Sequence, residues 1–519
     1  MPGVGGAEQT VSVLLSEVVA TADAVRSTRS RLAKVDALAS LFAHLTAEEI
    51  APAVGLLTGS PRQGRVGIGW RAVSSAMGDP AGSPSLTVLD VDDVLDRLVA
   101  LEGAGSSAER GAILRETMAR ATGDEQDFLA RSLLGEVRTG ALEGVVTDAI
   151  ARAADLPGDV VRRAVMLTGD LGDTAVIALT GSPGDVERVT LTVGRAVRPM
   201  LAASAPSVAE AIAGTGEASV EYKLDGARIQ VHRHGEDVRV FTRSLADVTH
   251  RVPEVVETVR ALPVSEVILD GESLTLDEDG APRPFQQTMS RFGADASREA
   301  VLRPWFFDVL HADGRDLLDE PLAERRLVLE DVAPGLVIPG IVTADAQDAA
   351  EFSDRALAAG HEGVMVKAIG SPYAAGRRGA SWVKVKPVHT YDLVVLACEW
   401  GSGRRRGWLS NLHLGAYDPV GEFGGPGDYV MVGKTFKGLT DDLLRWQTER
   451  FQQLEVRRTP GTVWVSPQVV VEIAIDGVQA SSRYPGGIAL RFARVKRYRE
   501  DKSPEQADTI QSLRTLLRR

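Results

Sequence analysis

Near residue 205 the spacing of the apolar residues changes character, and that change limits the folds open to this chain. Up to that point, segments such as SVLLSEVVATADAV, RSRLAKVDALASLFAHL and DDVLDRLVAL place Leu, Val and Ala every three or four residues, with charges between them. This is the pattern of amphipathic helices that bury one stripe. From Val220 onward, SVEYKLDGARIQVHRHGEDVRVFTR alternates apolar and polar residues around a turn at 234–237, as antiparallel strands do. Mixed strand and helix continue to about Pro387. Beyond it, TYDLVVLACEWG, NLHLGAYD, GDYVMVG and TVWVSPQVVVEIAI predict short strands of a smaller β region. The expected division is 1–205, 206–388 and 389–519, in keeping with the three domains or so that 519 residues suggest.

Composition removes several classes. With 44% hydrophobic and 25% charged residues the chain can bury real cores, so it is not a disordered chain. No apolar run approaches the roughly 18 residues of a membrane span. The first residues carry no basic leader, so a cytoplasmic protein is expected. The single cysteine, Cys398, excludes an intrachain disulfide and a cysteine-rich zinc finger, and is expected to be a buried strand residue. Net charge is 58 − 71 = −13, which alone disfavours a nucleic-acid partner. The cations cluster, however, at Arg404–Arg406 and in RFARVKRYREDK (491–502), and binding depends on where cations sit.

The densest chemistry lies in Glu221-Tyr222-Lys223-Leu224-Asp225-Gly226-Ala227-Arg228. On a strand, Glu221 and Lys223 share one face and Val220 and Tyr222 the other, while Asp225-Gly226 turns the chain so that Arg228 can reach back. Such a lysine is a phosphate clamp or a nucleophile. The nucleophilic role needs the neutral amine, which an unperturbed pKa of about 10.4 makes scarce near neutrality. ILDGE (268–272) is expected to deliver two carboxylates to a strand end, for a metal ion or a ribose hydroxyl. WFFDV (305–309) offers aromatics to a base or to a core, and HEGVMVK (361–367) adds Glu362 beside an apolar strand. In WVKVKP (382–387), Lys384 and Lys386 fall on one strand face, an arrangement that needs anions nearby, and a triphosphate would serve. His232 and His234 are expected to be solvated strand residues. GKT at 433–435 is expected to be strand and turn, because Asp428 stands where a P-loop needs its first glycine.

Taken in order, these segments resemble the ATP-dependent DNA ligases of the covalent nucleotidyltransferase superfamily. EYKLDGAR is similar to the lysine motif, TRSLADVT (242–249) to the next, LDGES to the third and FFDVL to the aromatic motif. GHEGVMVK, SWVKVKP and RYREDKSPEQA (497–507) are similar to the last three, and PRQGRVGIGW (61–70) to a loop of the helical DNA-binding domain of larger ligases. The resemblance implies an all-α N-terminal DNA-binding domain, an α+β nucleotidyltransferase core of the ATP-grasp-like adenylation type, and a C-terminal OB-fold β-barrel. It also implies that Lys223 takes AMP from ATP and that AMP then passes to the 5′-phosphate of a nick. Glu221 would select adenine and Phe307 would stack on it. Arg228 and Arg243 would hold ribose and phosphate, and Glu272 and Glu362 would meet ribose or a divalent metal, Mg²⁺ or Mn²⁺. Arg378, Lys384 and Lys386 would neutralise the α-phosphate, and Arg499, Asp501 and Lys502 would orient pyrophosphate. Arg62, Arg65 and Arg71 would grip nicked duplex DNA, and the enzyme would act as a monomer associated with the nucleoid. The alternatives are an RNA ligase or capping-type enzyme, or an inactive nucleic-acid-binding relative. A role in replication or repair is left open, as are protein partners.

Overall fold

The computed structural model describes residues 12–64, 66–101, 103, 105–137, 143–276, 283, 288–289, 301–374, 378–402 and 405–517. Its first part is helical, from Leu15–Ser27 through Pro183–Glu187, around one apolar core that includes Leu15, Leu38, Leu57, Leu98, Ile150 and Val161. Caps written in the sequence start several of these helices. Thr87 accepts the Asp90 N–H, and Asp90 reaches back to the Thr87 N–H at the head of Val88–Ala100. Residues 61–64 and 66–69 lie outside regular structure, between helices Ala47–Thr58 and Trp70–Ala76. Among the described residues, no helix is long and apolar enough to cross a membrane.

The middle part is two antiparallel-rich sheets of five strands each. One orders Leu201–Ser204, Arg378–Val385, Gly363–Ala368, Ala218–Lys223 and Gly340–Thr343. The other orders Asp237–Thr242, Ala227–His234, Glu266–Thr275, Leu302–Ala312 and Arg315–Asp316. Val220, Val364, Val366 and Phe352 pack one face of the first sheet against helices Val208–Thr215 and Ala346–Ala358. Alternation therefore turns Glu221, Lys223, Met365 and Lys367 to the opposite face. The edge strand Leu201–Ser204 pairs in parallel with Arg378–Val385, so the core sheet begins ahead of the expected boundary at 205.

The C-terminal part is mostly sheet. The long strand His389–Trp400 pairs along one side with Leu409–Asp418, and on the other with Val470–Ile475 and then Thr462–Val465. Asp428–Thr435, Glu455–Arg458 and Arg494–Tyr498 complete it. Helix Asp441–Gln453 closes the core with Leu444 and Phe451. GKT lies in strand Asp428–Thr435, as expected, and Cys398 is fully buried. The pairings among described residues do not close a ring, so a barrel is not established by them.

Candidate active site

Lys223 ends strand Ala218–Lys223, and its register opposite Gly363 sets Glu362 beside it. The Glu362 N–H donates to the Lys223 carbonyl at 3.0 Å, and the Lys223 ammonium pairs with the Glu362 carboxylate. Lys386 reaches the other Glu362 oxygen at 3.1 Å. Burial works to raise the Glu362 carboxyl, but the two lysines outweigh it and hold it down at about 2. Only glycine fits after it: a Cβ on Gly363 would lie 2.3 Å from the Val385 carbonyl, at φ +142°.

Two residues back on the same face stands Glu221, which is buried. Arg326, from helix Leu322–Val332, donates to it at 2.8 Å, and Lys367 lies 2.5 Å from its second oxygen. Lys367 is itself buried, 4.4 Å from the Phe307 ring centroid and 4.3 Å from that of Trp382. Burial lowers its pKa against the pull of Glu221 and Asp308. Phe307 and Trp382 meet edge to face at 5.9 Å. The buried Lys367 ammonium thus lies against both rings of this perpendicular pair while it holds the Glu221 carboxylate.

The turn Asp225-Gly226 carries the chain from the first sheet to the second. A Cβ on Gly226 would sit 2.5 Å from the Ser273 carbonyl, so the glycine permits the close crossing. Arg228 follows and is opposite Glu272 in register. Burial pushes the Glu272 carboxyl up to about 7, against the pull of Lys223 and Arg228.

The C-terminal sheet region docks on this pocket. Arg491 donates to Asp225 at 2.8 Å, Lys386 to Asp476 at 2.5 Å, and Arg494 to Asp476 at 3.0 Å. Arg499 binds Asp392 at 2.8 Å and Asp501 at 2.7 Å, and Lys502 also pairs with Asp392.

Three family models match the chain in order: DNA ligase N terminus at 72–151, ATP dependent DNA ligase domain at 199–386, and ATP dependent DNA ligase C terminal region at 405–502. A protein of Pseudarthrobacter chlorophenolicus called probable DNA ligase is 70% identical, over 98% of this chain and all of that one. One of Rhodococcus jostii with the same name is 56% identical over 97% of this chain and all of its own. The chain belongs to the ATP-dependent DNA ligase family. A solved structure named Pmar-Lig_PreS3 shares the fold of the ligase with a TM-score of 0.63 at 18% identity, over 93% of this chain and 99% of that one.

The structure brings Glu221, Lys223, Phe307, Glu362 and Lys386 of the ligase into one region, with Arg228 and Glu272 on the facing sheet. Lys384 is half-buried in strand Arg378–Val385, while Lys386 lies just past its end. Arg243 is exposed, on the turn after Asp237–Thr242. Arg499, Asp501 and Lys502 are bound to one another and to Asp392 rather than to the lysine pocket. The side chain of Arg378 and all of Arg65 and Arg404 lie outside the described residues. Arg62 is engaged by Asp92 and Asp96, whereas Arg71 is exposed.

Several details differ from the sequence expectation. The strand bearing Asp270 and Glu272 runs on to Thr275, so the carboxylates sit mid-strand, and Asp270 is committed to Arg228 and Tyr373. Lys386 is balanced by Glu362 and Asp476, so the ligase itself provides the anions. His232 is buried, not solvated, and burial lowers its imidazole to about 3. Arg326, Tyr373 and Asp476 carried no signal in the sequence, and Arg491 only that of belonging to the basic run 491–502. Each acts through a partner more than 90 residues away, except that Lys386–Asp476 spans 90. Lys367 had a signal: it is the lone cation on an otherwise apolar strand, Gly363–Ala368.

Proposed function

We propose that Lys223 is the nucleophile with which this ligase takes AMP from ATP. The observation that carries this is the placement of Lys223 two positions along one strand face from Glu221, ion-paired with Glu362, whose other oxygen meets Lys386. The Nζ–phosphorus bond forms as the bond to the bridging oxygen breaks and pyrophosphate leaves. A nonbridging oxygen of the nick 5′-phosphate then attacks the lysyl-AMP, the P–N bond breaks and the amine is restored. Attack by the 3′-hydroxyl on that 5′-phosphate expels AMP and seals the strand. Lys223 Nζ contacts the Glu362 carboxylate, so the two must part and Nζ must present a free lone pair before the first attack. Glu221, fixed by Arg326 and Lys367, reads adenine, and Arg228, Arg243, Arg378, Lys384 and Lys386 bear on ribose and phosphate.

Glu272 and Glu362 would hold a divalent cation. No cluster of three His, Cys, Asp or Glu occurs among the described residues, so an all-protein cage is not what they form. Two carboxylates plus nucleotide phosphates suit Mg²⁺ or Mn²⁺, which supplies charge neutralisation to the phosphates. Nicked duplex should be sealed with ATP and not with NAD, and a chelator should stop sealing. A cation needs ionised Glu272, so the metal concentration giving half-maximal rate should fall as pH rises through about 7 and level off above it. Sealing that survives chelation, or a metal requirement flat across that range, would reject this metal site.

We also take residues 1–200 as the DNA grip, 201–388, which includes the edge strand Leu201–Ser204, as the adenylation unit, and 389–519 as an OB-type domain, working on DNA in the cytoplasm. Arg71, exposed beside the 61–69 loop, is the better candidate for a phosphate contact, because Arg62 is already neutralised by two aspartates. Arg71→Ala should lower the slope of log affinity against log salt by about 0.9, and Arg62→Ala should change it little. Equal slopes for wild type and Arg71→Ala in a nicked-duplex titration would remove Arg71 from the interface.

A further inference from the structure

The connector between the helical region and the core runs beside strand Ala227–His234, and alternate side chains of that strand hold its backbone. The Gly194 N–H donates to His232 Nδ1 at 2.9 Å. The Val197 N–H donates to Gln230 Oε1 at 2.8 Å, and Gln230 Nε2 donates back to the Val197 carbonyl at 3.3 Å. Arg228 Nη1 donates to the Met200 carbonyl at 2.7 Å. Residues 228, 230 and 232 share a strand face, so the three attachments form one rail. At its end the rail closes into a ring. The Met200 N–H donates to Tyr373 Oη at 3.0 Å, and Tyr373 donates to Asp270 Oδ2 at 2.7 Å. Asp270 in turn accepts Arg228 Nε at 3.0 Å and Nη2 at 2.7 Å. Asp270, Tyr373 and Met200 are all buried. On the helical side, the Arg198 N–H donates to the Met166 carbonyl, and Met166 and Leu167 share an apolar cluster with Met200 and Trp382.

Three of the five guanidinium N–H groups of Arg228 are thereby committed, leaving one on each terminal nitrogen. We propose that the connector 194–200 and Tyr373 are positioning elements for Arg228, fixing its two remaining donors for phosphate and tying them to the placement of the helical region. A side chain immobilised beforehand loses no further rotamer freedom when its phosphate arrives. The sequence could not show this, since Tyr373 and Met200 are 173 residues apart. The inference rests on the role proposed above for Arg228 in holding phosphate.

The test uses full-length, pre-adenylated enzyme mixed with excess nicked duplex, reading single-turnover AMP transfer, nick affinity and melting temperature. Arg228→Ala should slow transfer by about a hundredfold, and Tyr373→Phe by about tenfold with nick affinity changed less than about twofold. The double variant should be no slower than Arg228→Ala alone. Wild-type transfer in Tyr373→Phe, or a further loss in the double variant, would overturn the positioning role while leaving Arg228 in place. Normal transfer in Arg228→Ala would instead overturn the phosphate role of Arg228 itself. If Tyr373→Phe lowers the melting temperature, Gln230→Met, which cuts the connector bonds at Val197 together with the contact to His232 Nε2, carries the same comparison.

Discussion

Lys223→Ala will form no protein–AMP adduct when incubated with labelled ATP, yet it will seal a nick supplied already adenylated. Removing a nucleophile costs on the order of 10⁶ in the step it performs, so adduct formation should fall below detection. The last step uses the 3′-hydroxyl and has no need of the amine. Lys223→Arg gives the sharper control. It retains the cation beside Glu362, but a guanidinium does not become neutral at working pH, so this variant should also form no adduct. Labelled adduct in either variant would place the nucleophile elsewhere. Loss of sealing on the pre-adenylated nick in both would show instead that Lys223 is needed beyond the first step.

Three further variants should separate two placements of the C-terminal region. In the placement described, Arg491 and Asp476 hold the pocket through Asp225 and Lys386, while Arg499 and Lys502 are spent on Asp392. For Arg499 and Lys502 to orient pyrophosphate, the region must turn about 388–392, which carries Asp392 itself. Arg499→Ala and Lys502→Ala should therefore slow self-adenylation about tenfold or more, since each removes a cation from a developing phosphate charge, and should spare sealing of pre-adenylated DNA. Arg491→Ala should do the reverse, because its contact to Asp225 belongs to the docked placement. Rapid-quench measurement of the two steps decides it. Equal effects of Arg491→Ala and Arg499→Ala on both steps would mean that one placement serves the whole reaction.

The sequence was informative where chemistry is local. Alternation placed Glu221 and Lys223 on one face and Val220 and Tyr222 on the other, and the structure packs Val220 and Tyr222 against Phe352 and its helix. The antiparallel turn at 234–237 and the strand nature of GKT were legible for the same reason, since period and turn chemistry are set by neighbours in the chain. His232 shows the limit. Its alternating context is that of a half-exposed strand, and it is buried in the fold, with the connector at Gly194 and the Phe241 ring against it.

What the sequence by itself determined is the order of elements and which residue types could do phosphoryl chemistry, because periodicity and motif spacing are properties of the chain alone. Which charges meet was decided by tertiary structure. Lys386 could have faced a triphosphate on sequence grounds, but folding sets Glu362 of the core and Asp476 of the C-terminal region against it. Arg499 and Lys502 were expected at the nucleotide, and the docking of the C-terminal sheet binds them to Asp392. The physical reason is that ion pairs act over a few ångströms of space and take no account of separation along the chain. Their partners are fixed only once sheets, connector and domains are packed together.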